Sequence, residues 1–299
     1  MTSKGADAKR RQFRIRVGTG IQIAADSYGS PEGRPVLLLH GGGQTRHAWG
    51  GTARTLGDAG FHAIAIDLRG HGDSDWSEGG EYHPDAYVRD LRDVMRTLDR
   101  APALVGASLG GMISLLVAGE VAPASVAALV LVDVTPRIEA EGVDRIFRFM
   151  TSHPEGFATV EDAAAAVAEF LPHRPRPADP QGLEKNLRRG IDGRLRWHWD
   201  PRFLNREAHA RRQGSTWPTR LEQAAERLSC PTLLVRGRQS DVVSEENVAH
   251  FRALAPKAEY VDVADAAHMV AGDRNDAFTN AVAGFLGRVM AQPADSTAA

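Results

Sequence analysis

The chain has 299 residues, 42% hydrophobic and 25% charged, and its 36 Lys plus Arg against 38 Asp plus Glu leave a formal net charge of −2. A chain of this size buries a full core without disulfides or a structural metal, and the near balance of charge excludes binding to nucleic acid or to anionic membranes driven by basic charge. A single cysteine, Cys230, excludes an internal disulfide, and no run approaches the ~20 apolar residues of a membrane helix.

Residues 1–12 are polar and basic with no apolar stretch behind them, which predicts a disordered arm, no secretory leader and a cytoplasmic location. Residues 13–17 and 21–25 alternate apolar and polar around Gly18-Thr19-Gly20, the pattern of an antiparallel hairpin at a sheet edge. The runs 36–39, 63–66, 103–105, 128–132 and 232–235 are short, apolar and bounded by turns, as expected of strands buried on both faces of a parallel sheet, and the run 260–263 reads as the last strand. Helical spacing of apolar residues falls between them at 48–59, 87–98, 109–120, 245–254 and 276–290. Alternation of strand and helix predicts a doubly wound α/β fold. Residues 136–228 break the rhythm. They offer helical patterns at 139–150, 161–170 and 221–228, a proline-rich linker at 172–177 and no convincing strand, which reads as a helical insertion. Residues 292–299 read as a disordered tail.

Ligands of an open α/β sheet bind beyond the carboxyl ends of the strands, so the residues that follow each strand carry the functional signal. The strand at 103–105 runs into Gly106-Ala107-Ser108-Leu109-Gly110 and then an apolar helix. A Gly-x-Ser-x-Gly turn between strand and helix holds serine in a sharp bend with its hydroxyl exposed, and the helix start brings backbone N–H groups to a developing oxyanion. The strand at 36–39 ends in His40-Gly41-Gly42-Gly43, where the N–H of Gly42 is the expected oxyanion donor beside that of Leu109, and His40 is expected to order the loop. Asp241 follows the strand at 232–235 and is the expected carboxylate partner of an imidazole; His268 follows the last strand and completes the order Ser, Asp, His.

These residues together resemble the α/β-hydrolase superfamily over roughly residues 13–290. Asp67-Leu68-Arg69-Gly70-His71-Gly72-Asp73-Ser74 and His268-Met269-Val270-Ala271-Gly272-Asp273 match further signatures of that family. The resemblance implies an eight-stranded, mostly parallel sheet, a core formed by residues 13–135 and 229–291, and a helical cap at 136–228 inserted after the sixth strand. It implies Ser108, Asp241 and His268 as nucleophile, acid and base. Some members take the acid from the end of the sixth strand, which makes Asp133 the alternative. Ala107 and Ala267 stand where many relatives carry histidine and glycine, departures that bear on substrate more than on chemistry.

The expected activity is hydrolysis of a carboxylic ester of a small, largely apolar molecule through an acyl-enzyme on Ser108, with no cofactor and no metal. Carbon–carbon bond hydrolysis and cofactor-free haloperoxidase or perhydrolase chemistry share the same triad. A non-catalytic small-molecule receptor on this scaffold is the alternative of another class. Serine at the elbow argues against dehalogenase and epoxide hydrolase chemistry of the aspartate type, and no tyrosine falls within 136–228 to activate an epoxide oxygen. Trp197, Trp199 and Met269 are candidates for the substrate pocket. Trp197 and Trp199 serve equally as staples between cap and core. The cap arginines, Arg145 and Arg188 among them, are read as solvated faces or surface ion pairs.

Overall fold

The computed structural model describes residues 10–172, 179–205, 217–264 and 275–291. The expected tail and residues 1–9 of the expected arm lie outside them. Arg11 and Gln12, also assigned to that arm, are instead the first residues of strand β1 (Arg11–Arg16), paired with Ser27 and Asp26 of β2 (Gln22–Tyr28). Arg10 reaches Asp26 at 2.9 Å, which helps tie down this edge.

The remaining strands of the main sheet are β3 (Arg34–Leu39), β4 (Phe61–Ile66), β5 (Ala103–Ala107), β6 (Ala128–Val132), β9 (Thr232–Gly237) and β10 (Glu259–Val263). Their order is β1-β2-β4-β3-β5-β6-β9-β10; β2 runs antiparallel to both neighbours and all other pairs are parallel. The apolar runs are continuous because both faces are covered. On β3, Leu37 and Leu39 point into one core with α2 (Pro84–Met95), α3 (Leu109–Leu116) and α7 (Glu245–Leu254). Val36 and Leu38 point the other way, against α1 (Gly50–Asp58) and α8 (Asn275–Val289). No helix among the described residues is long and apolar enough to cross a membrane.

The insertion between β6 and β9 carries helices α4 (Ala140–Thr151) and α5 (Val160–Phe170), as the periodicity predicts. Thr159 caps α5 through a reciprocal capping box with Asp162. Two features differ from the sequence reading. A short antiparallel hairpin, β7 (Leu187–Arg189) with β8 (Leu195–Trp197), lies where no strand is expected. Three-residue strands rich in arginine carry too little apolar alternation to register, and only a left-handed Gly193 in the turn marks them. Helix α6 (Trp217–Glu226), assigned to the cap by position, buries Leu221, Ala224 and Ala225 in the main core. Gly119 permits that seat: a Cβ there would stand 1.9 Å from the Ala224 carbonyl oxygen.

Buried polar groups fix the loops that surround the site. Arg69 forms a two-pronged ion pair with Asp90 of α2, both contacts at 2.5 Å. Asp67 accepts from the backbone and guanidinium of Arg46 and from the Asp73 N–H. Three histidines form a row between these loops and the insertion, with ring centroids 5.2 Å apart for His40 and His71 and 5.9 Å for His71 and His198. All three are fully buried, and burial holds them neutral: His40 is lowered to about 4, His71 to about 3 and His198 far below the usual imidazole range.

This row makes stability depend on pH. Below about 6.5 the unfolded chain takes up protons that the folded rings refuse until far lower pH, so stability falls as pH drops through that window, by up to about 1.4 kcal/mol per pH unit per histidine. The midpoint of thermal unfolding is therefore expected to be flat near neutrality and to drop steeply between about pH 6.5 and 4. A midpoint that does not move across that range would contradict neutral burial of the row.

Candidate active site

Ser108 is the one residue between β5 and α3, and it turns the chain with φ 44° and ψ −114°. Among the described residues only Ser108 and Asp133 combine a side chain with positive φ. Such a conformation costs roughly 1–3 kcal/mol and persists only where its surroundings enforce it. Here the Ser108 N–H donates to the Val132 carbonyl at 3.2 Å, and its own carbonyl accepts from Met112 N–H at 2.9 Å. The flanking glycines are sterically required. A Cβ on Gly106 would stand 2.4 Å from the Gly110 carbonyl oxygen, and one on Gly110 would stand 2.5 Å from that of Leu39. Ser108 borders a cavity of about 280 Å³.

The loop after β3 borders the same cavity through Gly41, Gly42, Gly43 and Gln44. The Gly41 carbonyl accepts from His40 Nδ1 at 2.8 Å and from Gln44 N–H at 3.1 Å. Leu68 N–H donates to His40 Nε2 at 2.9 Å, so the ring proton sits on Nδ1, the nitrogen that donates to Gly41. A trans peptide places its C=O and N–H on opposite edges, so holding the Gly41 oxygen aims the Gly42 N–H the other way. From the far side, Gly72 N–H donates to His198 Nδ1 at 2.7 Å, which leaves the His198 Nε2 proton for the Gly43 carbonyl at 3.3 Å. The expected role of His40 in ordering this loop fits these bonds, and His198 adds a support that sequence alone offers no signal for. The N–H groups of Gly42 and Leu109 have no acceptor among the described residues.

The two candidate acids sit in different surroundings. Asp133, at the end of β6, is fully buried with φ 48°. Its Oδ1 accepts from Gly237 N–H at 3.2 Å and its Oδ2 from the Ser240 hydroxyl at 2.6 Å. The preceding residue, Val132, is the one whose carbonyl receives the Ser108 N–H, so Asp133 adjoins the bend. Asp241, in the loop after β9, keeps 38% of its side chain exposed, and its Oδ2 accepts from Arg145 Nε of α4 at 2.7 Å. His268 and Met269 lie outside the described residues.

The rest of the cavity wall comes from the insertion, chiefly Val143, Ile146, Phe149, Met150, Phe170 and Trp199. Phe203 packs directly over Gly42, with 3.3 Å between its ring and the position of a Cβ there. Trp199 thus borders the cavity as expected, whereas Trp197 does not. Trp197 stacks behind Trp199 with centroids 5.3 Å apart and joins Phe149 and Phe157 in a small core of the insertion. In a continuing β-strand residues two apart would share a face, but β8 ends at Trp197 and the chain bends before Trp199, which separates the pair. Arg145, read from sequence as part of a solvated face or a surface ion pair, is in a partly exposed ion pair with Asp241 and also borders the cavity. Among the described residues no cluster of His, Cys, Asp or Glu is arranged to hold a metal ion.

Residues 34–274 match the α/β hydrolase fold family. The chain is 33% identical over 282 residues to the esterase Rv0045c of Mycobacterium tuberculosis, a match that takes in 91% of this chain and 88% of that protein. It is also 33% identical over 211 residues to 2-(acetamidomethylene)succinate hydrolase of Mesorhizobium japonicum, covering 70% and 73% of the two chains. Among solved structures, E-2-(acetamidomethylene)succinate hydrolase superposes with a TM-score of 0.81 at 28% identity, over 93% of this chain and 99% of that one. The Mycobacterium tuberculosis esterase superposes with a TM-score of 0.74 at 30% identity, over 93% and 92%. The chain belongs to the α/β-hydrolase family of enzymes.

Proposed function

We propose that this enzyme hydrolyses a carboxylic ester of a small, largely apolar molecule through an acyl-enzyme on Ser108. The observation that carries this reading is the left-handed Ser108, its side chain bordering a cavity of about 280 Å³ whose wall is otherwise almost wholly apolar. Two backbone N–H groups without acceptors among the described residues, Gly42 and Leu109, supply the oxyanion donors. The esterase and hydrolase relatives support it.

In this mechanism His268 takes the proton of Ser108 as the hydroxyl oxygen attacks the ester carbonyl. The tetrahedral oxyanion is held by Gly42 and Leu109 N–H, and His268 returns the proton to the departing alkoxide. Water, deprotonated by the same imidazole, then releases the acid. The acid that orients His268 is assigned to Asp133 rather than to Asp241. Strand β6 adjoins the elbow strand, and a residue that follows β10 reaches Ser108 only by crossing the ends of β9 and β6. Asp133 holds a buried, doubly anchored carboxylate on that path, whereas Asp241 is partly exposed, its Oδ2 held by the Arg145 guanidinium and its Oδ1 without a hydrogen-bond partner among the described residues. The insertion roofs the site and selects the acyl group.

Replacing Ser108 by alanine is expected to lower kcat on simple esters by about 10⁴-fold or more, with fluorophosphonate labelling abolished. Asp133→Asn is expected to cost about 10³–10⁴ in kcat by leaving the imidazole in the wrong tautomer, and Asp241→Asn only a few-fold. Steady-state kinetics on both variants decide the acid: a collapse confined to Asp241→Asn returns the role to Asp241.

A further inference from the structure

Among the described residues, the wall of the cavity over Ser108 contains one ionisable side chain, that of Arg145. Its setting is built rather than incidental. The Nε donates to Asp241 Oδ2 at 2.7 Å and Nη1 donates to the Phe170 carbonyl at 3.2 Å. The guanidinium carbon lies 4.9 Å from the centroid of the Phe170 ring, itself part of the wall. These three contacts fix the plane of the fork, and Nη2 makes no hydrogen bond among the described residues. A tie between α4 and the β9 loop needs only the bond from Nε. It does not need the rest of the guanidinium, 37% of whose side chain stays exposed, to border the chamber over Ser108. A preorganised guanidinium with an uncommitted donor is suited to a planar anion, and a carboxylate is the natural match.

We propose that Arg145 recognises a carboxylate at the far end of the acyl chain, so that the preferred substrates are monoesters of small dicarboxylic acids. Asp241 is then the counter-ion that orients Arg145 and moderates its pull. This proposal rests on the ester hydrolase reading, and it assigns a use to the Arg145–Asp241 pair that the catalytic steps leave idle. The apolar wall between Ser108 and Arg145 accommodates the methylene chain, and the distance between them selects its length.

The test compares monomethyl esters of straight-chain dicarboxylic acids, in a series of graded length, with methyl esters of the matching monocarboxylic acids. Acid release is followed at constant pH for the wild type, Arg145→Met, Arg145→Lys and Ser108→Ala. The wild type is expected to favour the anionic ester at one chain length by roughly 10- to 100-fold in kcat/KM, the scale of one charge-assisted contact. That ratio is expected to fall to one or below in Arg145→Met and to an intermediate value in Arg145→Lys, which keeps the charge and loses the fork. The proposal is overturned if the wild type hydrolyses the neutral esters and shows no preference for the anionic ones at any length. It is equally overturned if Arg145→Met keeps the wild-type ratio. The wild-type ratio decides the matter even if a variant fails to fold. If neither series is hydrolysed, or if Ser108→Ala matches the wild type, the ester reading falls and takes this proposal with it.

Discussion

The architecture of the site depends on one backbone conformation. A chain leaving a parallel strand and entering a helix within one residue needs a left-handed turn, and the residue at that turn is a serine with φ 44°. The conformation is unfavourable alone, so neighbouring elements must hold it. The glycines at 106 and 110 remove the atoms that would force the bend open, and the Val132 carbonyl fixes the Ser108 N–H. Through Val132 the constraint passes to the next residue, Asp133, which is itself held left-handed and buried. The two strained residues of the described chain are thereby neighbours in space, on adjacent strands.

A second set of constraints aims the opposite side of the site. Neither proposed oxyanion donor is a side chain, so each depends on the orientation of a peptide plane. Leu109 gains its orientation from the start of α3. Gly42 has no helix to orient it, and histidines on two separate segments do this work by holding the carbonyls of Gly41 and Gly43. Their tautomers follow from the backbone N–H groups that donate to their other nitrogens, Leu68 for His40 and Gly72 for His198. The loop 67–74, which carries no expected chemistry, therefore fixes where two ring protons lie.

What the sequence discloses and what it hides divide along physical lines. The doubly wound sheet is legible because burial on both faces turns each parallel strand into an unbroken apolar run, and the elbow is legible because its sterics demand glycines at fixed spacing around Ser108. The choice between Asp133 and Asp241 is not legible, because both follow strand ends and only three-dimensional neighbours show that Arg145 engages one of them. The hairpin of the insertion escapes because its strands are too short for periodicity, and α6 is misplaced because chain position says nothing about which core a helix joins. That Arg145 reaches the cavity and Trp197 does not escapes for the same reason: which way a side chain faces depends on how α4 and the hairpin pack, not on residue type.

The bond from His198 to the Gly43 carbonyl has a consequence for how such an enzyme changes. His198 belongs to the inserted segment, yet it holds the glycine loop that follows β3. Asp200, two residues on, reinforces the junction by accepting from Tyr82 at 2.5 Å and donating its N–H to the Gly70 carbonyl at 2.9 Å. The roof is thus not an interchangeable module. Grafting another roof onto this sheet removes a peg from the glycine loop beside Ser108 unless the stretch around residues 198–200 is retained, so sequence change has freer scope in α4 and α5 than in the segment that follows β8.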